Sequence, residues 1–285
     1  MLYNYLAIII LNSIFLYLFL LQYFDHPPSF KLNSTYPPKI ISTLNSECPK
    51  IIHQVVPDLN DVPSGLYNTI IHNIKMNPEF EYKLYDYKSA LELLKKDFNY
   101  DVVTAYNSSS TNQLKTDYLK YAFIYKYGGI FLDIKYICYY KFIDLLKHNN
   151  VFNVQKRKKD DIELALLISH PNNYVINKAF TLATNNLKFK NYCDNPKKIT
   201  GGTVLRDELN SLGFTIEYIL MFIDNDHIVR LKHNFNIVLK KYNTFDEENK
   251  LYNLLPCILD DYKSKTLFNE KLMPIINNII PKIEK

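Results

Sequence analysis

The sequence predicts an α/β domain carried behind a membrane-spanning segment, and three observations lead there. From Pro49 onward, short β-branched runs alternate with stretches in which apolar residues recur at helical spacing, the pattern of a sheet flanked by helices. One run, Ile130 to Ile134 (IFLDI), is apolar on both faces, as in a central parallel strand. Ahead of all this, Leu2 to Phe24 contains no charged side chain. At 285 residues the chain suffices for one well-packed domain with appendages.

Composition narrows the function classes. Apolar residues make up 47% and charged residues 22%, which places the chain with folded globular proteins. The net charge of +5 is mild and the lysines are scattered among acids and apolar residues, so no dedicated nucleic-acid surface is expected. The four cysteines, Cys48, Cys138, Cys193 and Cys257, are far apart and lack C-x-x-C spacing, which argues against a zinc site. Their even number permits two disulfides in an oxidising compartment; buried free thiols are the alternative. Cys138 stands in an apolar context and reads as core.

The run from Leu2 to Phe24 has the length of ~20 apolar residues that spans a bilayer, with Tyr3, Tyr5 and Tyr23 near its ends at interfacial positions. A cleaved signal peptide is the rival reading, but its apolar region is usually shorter and a small-x-small cleavage site is missing. Residues 1–24 are therefore read as an uncleaved signal anchor. Residues 25–48 follow as a Pro-rich stem, with two Pro-Pro pairs between Asp25 and Ile40 that favour extended chain over a packed element. The sequons at Asn33 and Asn107 point weakly to a lumenal domain, which occupies 49–285.

The elements of that domain follow in order. Lys50 to Val56 (KIIHQVV) is a β-branched run ended by Pro57 and Asp58, a buried strand. Ser64 to Met76 is a helix with Leu66, Ile70, Ile71 and Ile74 on one face, stopped by Asn77-Pro78. Phe80 to Asp86 alternates as a strand does, and Tyr87 to Phe98 returns to helical spacing. Ser110 to Gln113 (STNQ) fits a capping box. The helix after it sets Leu114, Tyr118, Tyr121, Ala122 and Tyr125 on one face and ends at Gly128 or Gly129. The IFLDI strand then carries Asp133 near its carboxyl end, the edge at which open α/β sheets bind ligands. Ile162 to Ser169 reads as a strand and Asn172 to Leu187 as a helix; Ile199 opens a glycine turn feeding a helix to Leu212. Short strands at Ile228 to Leu231 and Ile237 to Leu239 precede a tail without clear pattern.

Four segments in this order, PKIIHQVV, NPEFEYKLYD, LKTDYLKYAFIYKYGGIFLDIKY and ITGG, resemble the glycosyltransferases with the sugar-binding Asp-x-Asp region, family 32, which includes the Och1-like mannosyltransferases. The resemblance runs from Pro49 to Leu212. It implies a GT-A fold, a Rossmann-like mixed sheet flanked by helices, and a nucleotide-sugar donor such as GDP-mannose or a UDP-sugar. It also implies a divalent Mn²⁺ or Mg²⁺ and a membrane-anchored lumenal domain of Golgi or ER type. The expected activity moves a hexose or N-acetylhexosamine to a glycan or glycolipid acceptor with retention of configuration. Position by position, His53 and Gln54 fall on the first-strand motif near the nucleotide. Asp117 falls on the helix acid facing the nucleotide-sugar, and Lys120 on a position usually held by Arg. Gly128 and Gly129 are the paired glycines, and Thr200 and Gly201 the Thr-Gly of a later loop. Asp133 is the first acid of Asp-x-Asp, expected to contact the metal or the donor and, with Lys135, to be catalytic.

The chain departs from the family at two places. Lys135 stands where the second acid belongs, and Tyr252 to Tyr262 (YNLLPCILDDY) lacks the His of the family's His-plus-aromatic tail. Expelling a diphosphate requires positive charge at the site, commonly a metal held by one or two carboxylates, and an ammonium cannot ligate a metal. Lys135 either meets the diphosphate as a point charge or opposes metal binding beside Asp133; a solvated lysine is the plain alternative. By spacing alone, Asp117 and Lys120 form a surface ion pair and His53 is a hydrogen-bonded core histidine. Asp224, Asp226 and His227 are a further metal contact or a charged turn. The competing function class is a non-catalytic relative that binds a glycan or nucleotide without transfer.

Overall fold

A computed structural model describes residues 29–37, 48–146, 152–156, 162–189, 196–213, 221–223, 228–231 and 237–241. The apolar run 2–24, Cys193, Cys257, the Asp224 to His227 cluster and the tail beyond 241 lie outside the described residues. Among the described residues, no helix is long and apolar enough to cross a membrane.

The chain opens with two short strands, β1 (Ser29–Phe30) and β2 (Thr35–Tyr36), then β3 (Ile51–Val55) and β4 (Val62–Pro63). Helix α1 (Ser64–Met76), β5 (Glu81–Tyr85), α2 (Tyr87–Asp97), α3 (Tyr100–Asn107) and α4 (Asn112–Tyr127) follow. Next come β6 (Gly129–Leu132), β7 (Tyr136–Cys138), α5 (Phe142–Leu146), β8 (Phe152–Lys156) and β9 (Ile162–Ser169). The last are α6 (Tyr174–Lys188), α7 (Pro196–Ile199), α8 (Gly202–Ser211), β10 (Met221–Ile223), β11 (Ile228–Leu231) and β12 (Ile237–Lys241).

Ten of these strands form one mixed sheet in the order β2-β5-β3-β6-β9-β8-β10-β11-β12-β7. The α/β expectation holds. β3 runs parallel to β5 and β6, whereas β9 joins β6 antiparallel, so β6 is central but parallel on one side only. Its side chains alternate as a doubly covered strand requires: Ile130 and Leu132 enter one core with Leu66, Ile70 and Ile74 of α1. Phe131 enters the other, built from α2, α3, α4, α6 and α8. Cys48 and Cys138 are both buried, and Cys138 is a free thiol.

Three local readings change. The stretch read as a free stem is partly packed: β1 pairs with β4, and β2 adds to the sheet beside β5. Leu32 between them is buried, and its N–H donates to the Leu59 carbonyl at 2.8 Å. The prolines flank this segment without interrupting it, which leaves its backbone free to pair. α3 went unread although Asn99 caps it by accepting from the Val102 N–H and Val102, Ala105 and Tyr106 line its buried side. At α4 the cap is Thr111, which accepts from the Leu114 N–H at 3.2 Å, while Gln113 reaches Asp117 instead. The reciprocal box stands at α2, between Asp86 and Ser89.

Candidate functional site

Because β3, β5 and β6 run parallel, their carboxyl ends share one edge of the sheet, where ligand crevices form. Asp133 follows β6 there. Its N–H donates to the Ala165 carbonyl at 2.9 Å, and its own carbonyl accepts from the Tyr136 N–H at 3.1 Å, closing a turn through Ile134 and Lys135. Asp133 Oδ1 accepts from the Lys135 N–H at 3.1 Å, so the carboxylate holds its own turn. This fixes the side chain at the mouth of the strand.

The second half of the site comes from α4, which packs on β6 and β9. Gln113, Asp117 and Lys120 share one helix face by their spacing of four and three. Gln113 Nε2 donates to Asp117 Oδ2 at 2.7 Å. The Lys120 ammonium donates to Asp117 Oδ1 at 2.9 Å and to Asp133 Oδ2 at 2.8 Å. Lys120 is 2% exposed, and Asp117 and Asp133 are 5% exposed. The surface ion pair expected from spacing is therefore a buried bridge joining the helix to the strand end. Lys135 Nζ lies 3.9 Å from Asp133 Oδ2, and its side chain keeps 28% exposure. Of the two lysines it is the loosely held, solvent-facing one.

Electrostatics follow from this geometry. Burial pushes the Asp133 carboxyl up, but Lys120 and Lys135 outweigh it and hold the group at about 2. Burial disfavours the Lys120 ammonium, yet Asp117 and Asp133 together raise it well above its ordinary value. Both charges persist across the neutral range. Tyr87, at the start of α2, donates or accepts with Thr116 Oγ1 at 3.1 Å. Burial first, with Asp133 and Asp117 adding, pushes its phenol up to about 12.

The other candidates sit elsewhere. His53 is wholly buried: Nδ1 lies 3.0 Å from the Tyr85 hydroxyl and Nε2 3.1 Å from the Gly128 carbonyl. Since a carbonyl only accepts, Nε2 carries the proton and Nδ1 accepts from Tyr85. Burial lowers the ring's pKa to about 3, so it is a neutral brace with both nitrogens engaged. Gln54 accepts from the Tyr82 hydroxyl at 3.0 Å, and its buried Nε2 has no partner among the described residues. Gly128 and Gly129 have φ of 65° and 90°, which favours glycine. A Cβ on Gly129 would lie 2.5 Å from the Ile51 carbonyl oxygen, so the pair lets α4 turn directly into a strand against β3. Thr200 and Gly201 precede α8, and the Gly201 carbonyl accepts from the Tyr121 hydroxyl at 2.8 Å. Thr200 Oγ1 is buried without a partner among the described residues. The structure thus gathers Asp117, Lys120, Asp133 and Lys135, ties the Thr200–Gly201 turn to the same helix, and sets His53 and Gln54 inside the domain. Sequence reading missed Gln113 and Tyr121; each lies four residues from Asp117 on α4.

Comparison with known proteins finds the same region. Residues 63–152 match the family model described as a glycosyltransferase sugar-binding region containing DXD motif; Asp117, Lys120, Gly128, Gly129, Asp133 and Lys135 all fall within it. Over 108 residues the chain is 32% identical to inositol phosphoceramide mannosyltransferase 3 of Schizosaccharomyces pombe, covering 38% of this chain and 30% of that protein. Over 164 residues it is 26% identical to an uncharacterized glycosyltransferase of Acanthamoeba polyphaga mimivirus, covering 56% of this chain and 64% of that one. Among solved structures, the PaToxG glycosyltransferase aligns with a TM-score of 0.47 at 17% identity, covering 58% of this chain and 70% of that chain. The chain spans less than two thirds of the length of these curated relatives. The likeness to Asp-x-Asp glycosyltransferases that the motifs suggest is borne out over the middle of the chain.

That likeness implies a divalent cation, and the described residues do not fit one. All four carboxylate oxygens of Asp117 and Asp133 already accept from N–H donors. Two ammonium groups stand within 4 Å of Asp133 Oδ2. Among the described residues, no group of three His, Cys, Asp or Glu gathers to hold a metal ion.

Proposed function

We propose that this chain is a glycosyltransferase of GT-A type that moves a hexose or N-acetylhexosamine from a nucleotide-sugar to a glycan or glycolipid acceptor with retention of configuration. The carrying observation is the buried Asp117–Lys120–Asp133 bridge at the carboxyl edge of β6, inside the stretch that matches the sugar-binding family. In the transfer, the bond between the anomeric carbon and the β-phosphate oxygen breaks. Its electron pair leaves with the nucleoside diphosphate, an acceptor hydroxyl oxygen bonds to the carbon, and the hydroxyl proton is released. Asp117 and Asp133 are the acceptors available for sugar hydroxyls, and Lys135 is the cation on the open side. Asp133 is read as the residue on which donor contact depends.

A panel of UDP- and GDP-sugars offered to the full chain tests this, scored as donor hydrolysis and transfer. Turnover of one donor that drops at least a hundredfold in Asp133→Asn supports the reading. Binding without turnover of any donor moves the protein to the second reading, a glycan- or nucleotide-binding relative without transfer, which the lysine at position 135 favours.

The same reading sets the domain at a membrane. The charge-free run 2–24 serves as a single-pass anchor, and only residues 25–28 separate it from β1, a reach of at most about 18 Å. With β1 paired on the domain, the catalytic unit stays close to the bilayer, which suits a lipid-linked acceptor. The S. pombe relative is named as an inositol phosphoceramide mannosyltransferase, which favours a mannose donor and a glycolipid acceptor. A Golgi- or ER-like lumenal position is testable through Asn33 and Asn107. Glycosidase-sensitive mass at either one, lost in the Asn→Gln variant, supports it, and cytosolic protease access to the domain refutes it.

A further inference from the structure

We propose that the site neutralises the diphosphate of its donor with a side-chain ammonium in place of a resident divalent cation: Lys120 is the fixed counter-ion of the two carboxylates, and Lys135 the free charge that meets the leaving group. The inference rests on the nucleotide-sugar reading above and deepens it.

Charge balance is the first argument. Asp117, Asp133, Lys120 and Lys135 together carry no net charge. An acid at position 135 would give the same four side chains a net charge of minus two, the complement of a divalent cation. With lysine there, a metal entering beside the buried Asp133 meets two ammonium groups within 4 Å of its Oδ2, where like charges are strongly opposed. Ligand supply is the second argument. Lys120 takes one oxygen from each carboxylate, the Lys135 N–H takes the other oxygen of Asp133, and Gln113 takes the other oxygen of Asp117. A metal placed between the two acids would displace the buried Lys120 from both, leaving it uncompensated.

The two lysines divide the work by exposure. Lys120 is 2% exposed and bonded to both acids, so its charge is already spent on them. Lys135 keeps 28% of its side chain exposed and stands 3.9 Å from Asp133, beyond hydrogen-bond length. It can swing from this loose pairing to a phosphate oxygen without breaking a hydrogen bond. As the bond from the anomeric carbon to the β-phosphate oxygen breaks and the electron pair stays on that oxygen, the ammonium stabilises the added charge as a point charge.

Calorimetric titration of the full chain with UDP and with GDP, each with excess Mn²⁺ and with EDTA, tests the proposal, alongside Mn²⁺ alone followed by its paramagnetic resonance. The expected result is one nucleotide bound with the same affinity, within about twofold, in both buffers, and no stoichiometric Mn²⁺ site. Lys135→Met weakens nucleotide binding roughly tenfold to a hundredfold, the loss of one charge-assisted contact. Lys135→Asp makes binding chelator-sensitive and creates a Mn²⁺ signal that Asp133→Asn then removes. Thermal unfolding of the two Lys135 variants within a few degrees of the parent confirms that they fold, since position 135 lies in a partly exposed turn. The proposal falls if EDTA lowers wild-type affinity tenfold or more, if wild-type chain binds Mn²⁺ stoichiometrically, or if Lys135→Met binds nucleotide as wild type does. Failure of both nucleotides to bind in either buffer overturns the donor reading itself, a result distinct from metal-dependent binding.

Discussion

Replacing Lys120 with Met tests the centre of the site without relying on any substrate. The side chain keeps its reach and loses its charge, which leaves Asp117 and Asp133 buried without their shared counter-ion. Removing one partner of a buried ion pair costs about 3–5 kcal/mol. The depressed Asp133 carboxyl points the same way. Held at about 2 against 3.8 for the free group, it corresponds to about 2 kcal/mol of native stability. The sign is that of a depressed carboxyl: the contribution is complete above pH 3.8 and is lost as pH falls through about 2. Lys120 is raised above 10.5, so its contribution is complete at every pH below that value.

In Lys120→Met the burial that already pushes Asp133 up is opposed by Lys135 alone. Ionising Asp133 then destabilises the fold, and protonating it relieves it. Urea unfolding followed by circular dichroism should show a deficit of about 3–5 kcal/mol at pH 7 that shrinks by half or more at pH 4. Adding Asp133→Asn to the variant should recover part of the deficit at pH 7, since the stranded charge is gone. A deficit below about 1 kcal/mol at pH 7, as for an exposed pair, or one that stays constant down to pH 4, would refute the buried bridge.

Three further outcomes follow from the surroundings of the site. Gly129→Ala should cost about 2–4 kcal/mol, read as a fall in thermal midpoint, because φ is 90° and the new Cβ meets the Ile51 carbonyl oxygen at 2.5 Å. A change under about 1 kcal/mol would show that β3 can give way. Thr111→Ala removes the oxygen that accepts from the Leu114 N–H and should cost about 1 kcal/mol. Thr111→Ser, which keeps that oxygen, should match the parent in the same melt. Tyr121→Phe frees the Gly201 carbonyl and should cost about 1–2 kcal/mol, with faster amide exchange in Thr200 to Val204 than in β6. Uniform exchange across both would unlink the turn from α4.

Much of this fold was legible because its signals are local. β6 announces itself by apolar residues at every position, and Asp133 by following that run at once; neither depends on knowing the neighbours. The two glycines are readable for the same reason, since a helix that turns straight into a strand needs positive φ. The packing of Ser29 to Tyr36 was not, because an edge strand of two residues has no period of its own and its prolines speak louder than Leu32.

The buried bridge was obscured for a different reason, and the chain does hold the clue. Reading α4 as one apolar face through Leu114, Tyr118, Tyr121, Ala122 and Tyr125 leaves Asp117 and Lys120 on a wet side by default. Yet Leu119, Phe123 and Ile124 are also buried, and they fall outside that stripe. A helix apolar nearly all round has no solvent face to give its charges. Any acid and lysine within it must then be satisfied inside the protein. Three residues of helix supply Lys120 with Asp117, but an ammonium offers three donors and one carboxylate leaves it underused. The nearest further acid after the helix is Asp133, one short strand away. Exposure of the whole helix, more than the spacing of the pair, decides whether two charges three residues apart decorate a surface or assemble a site.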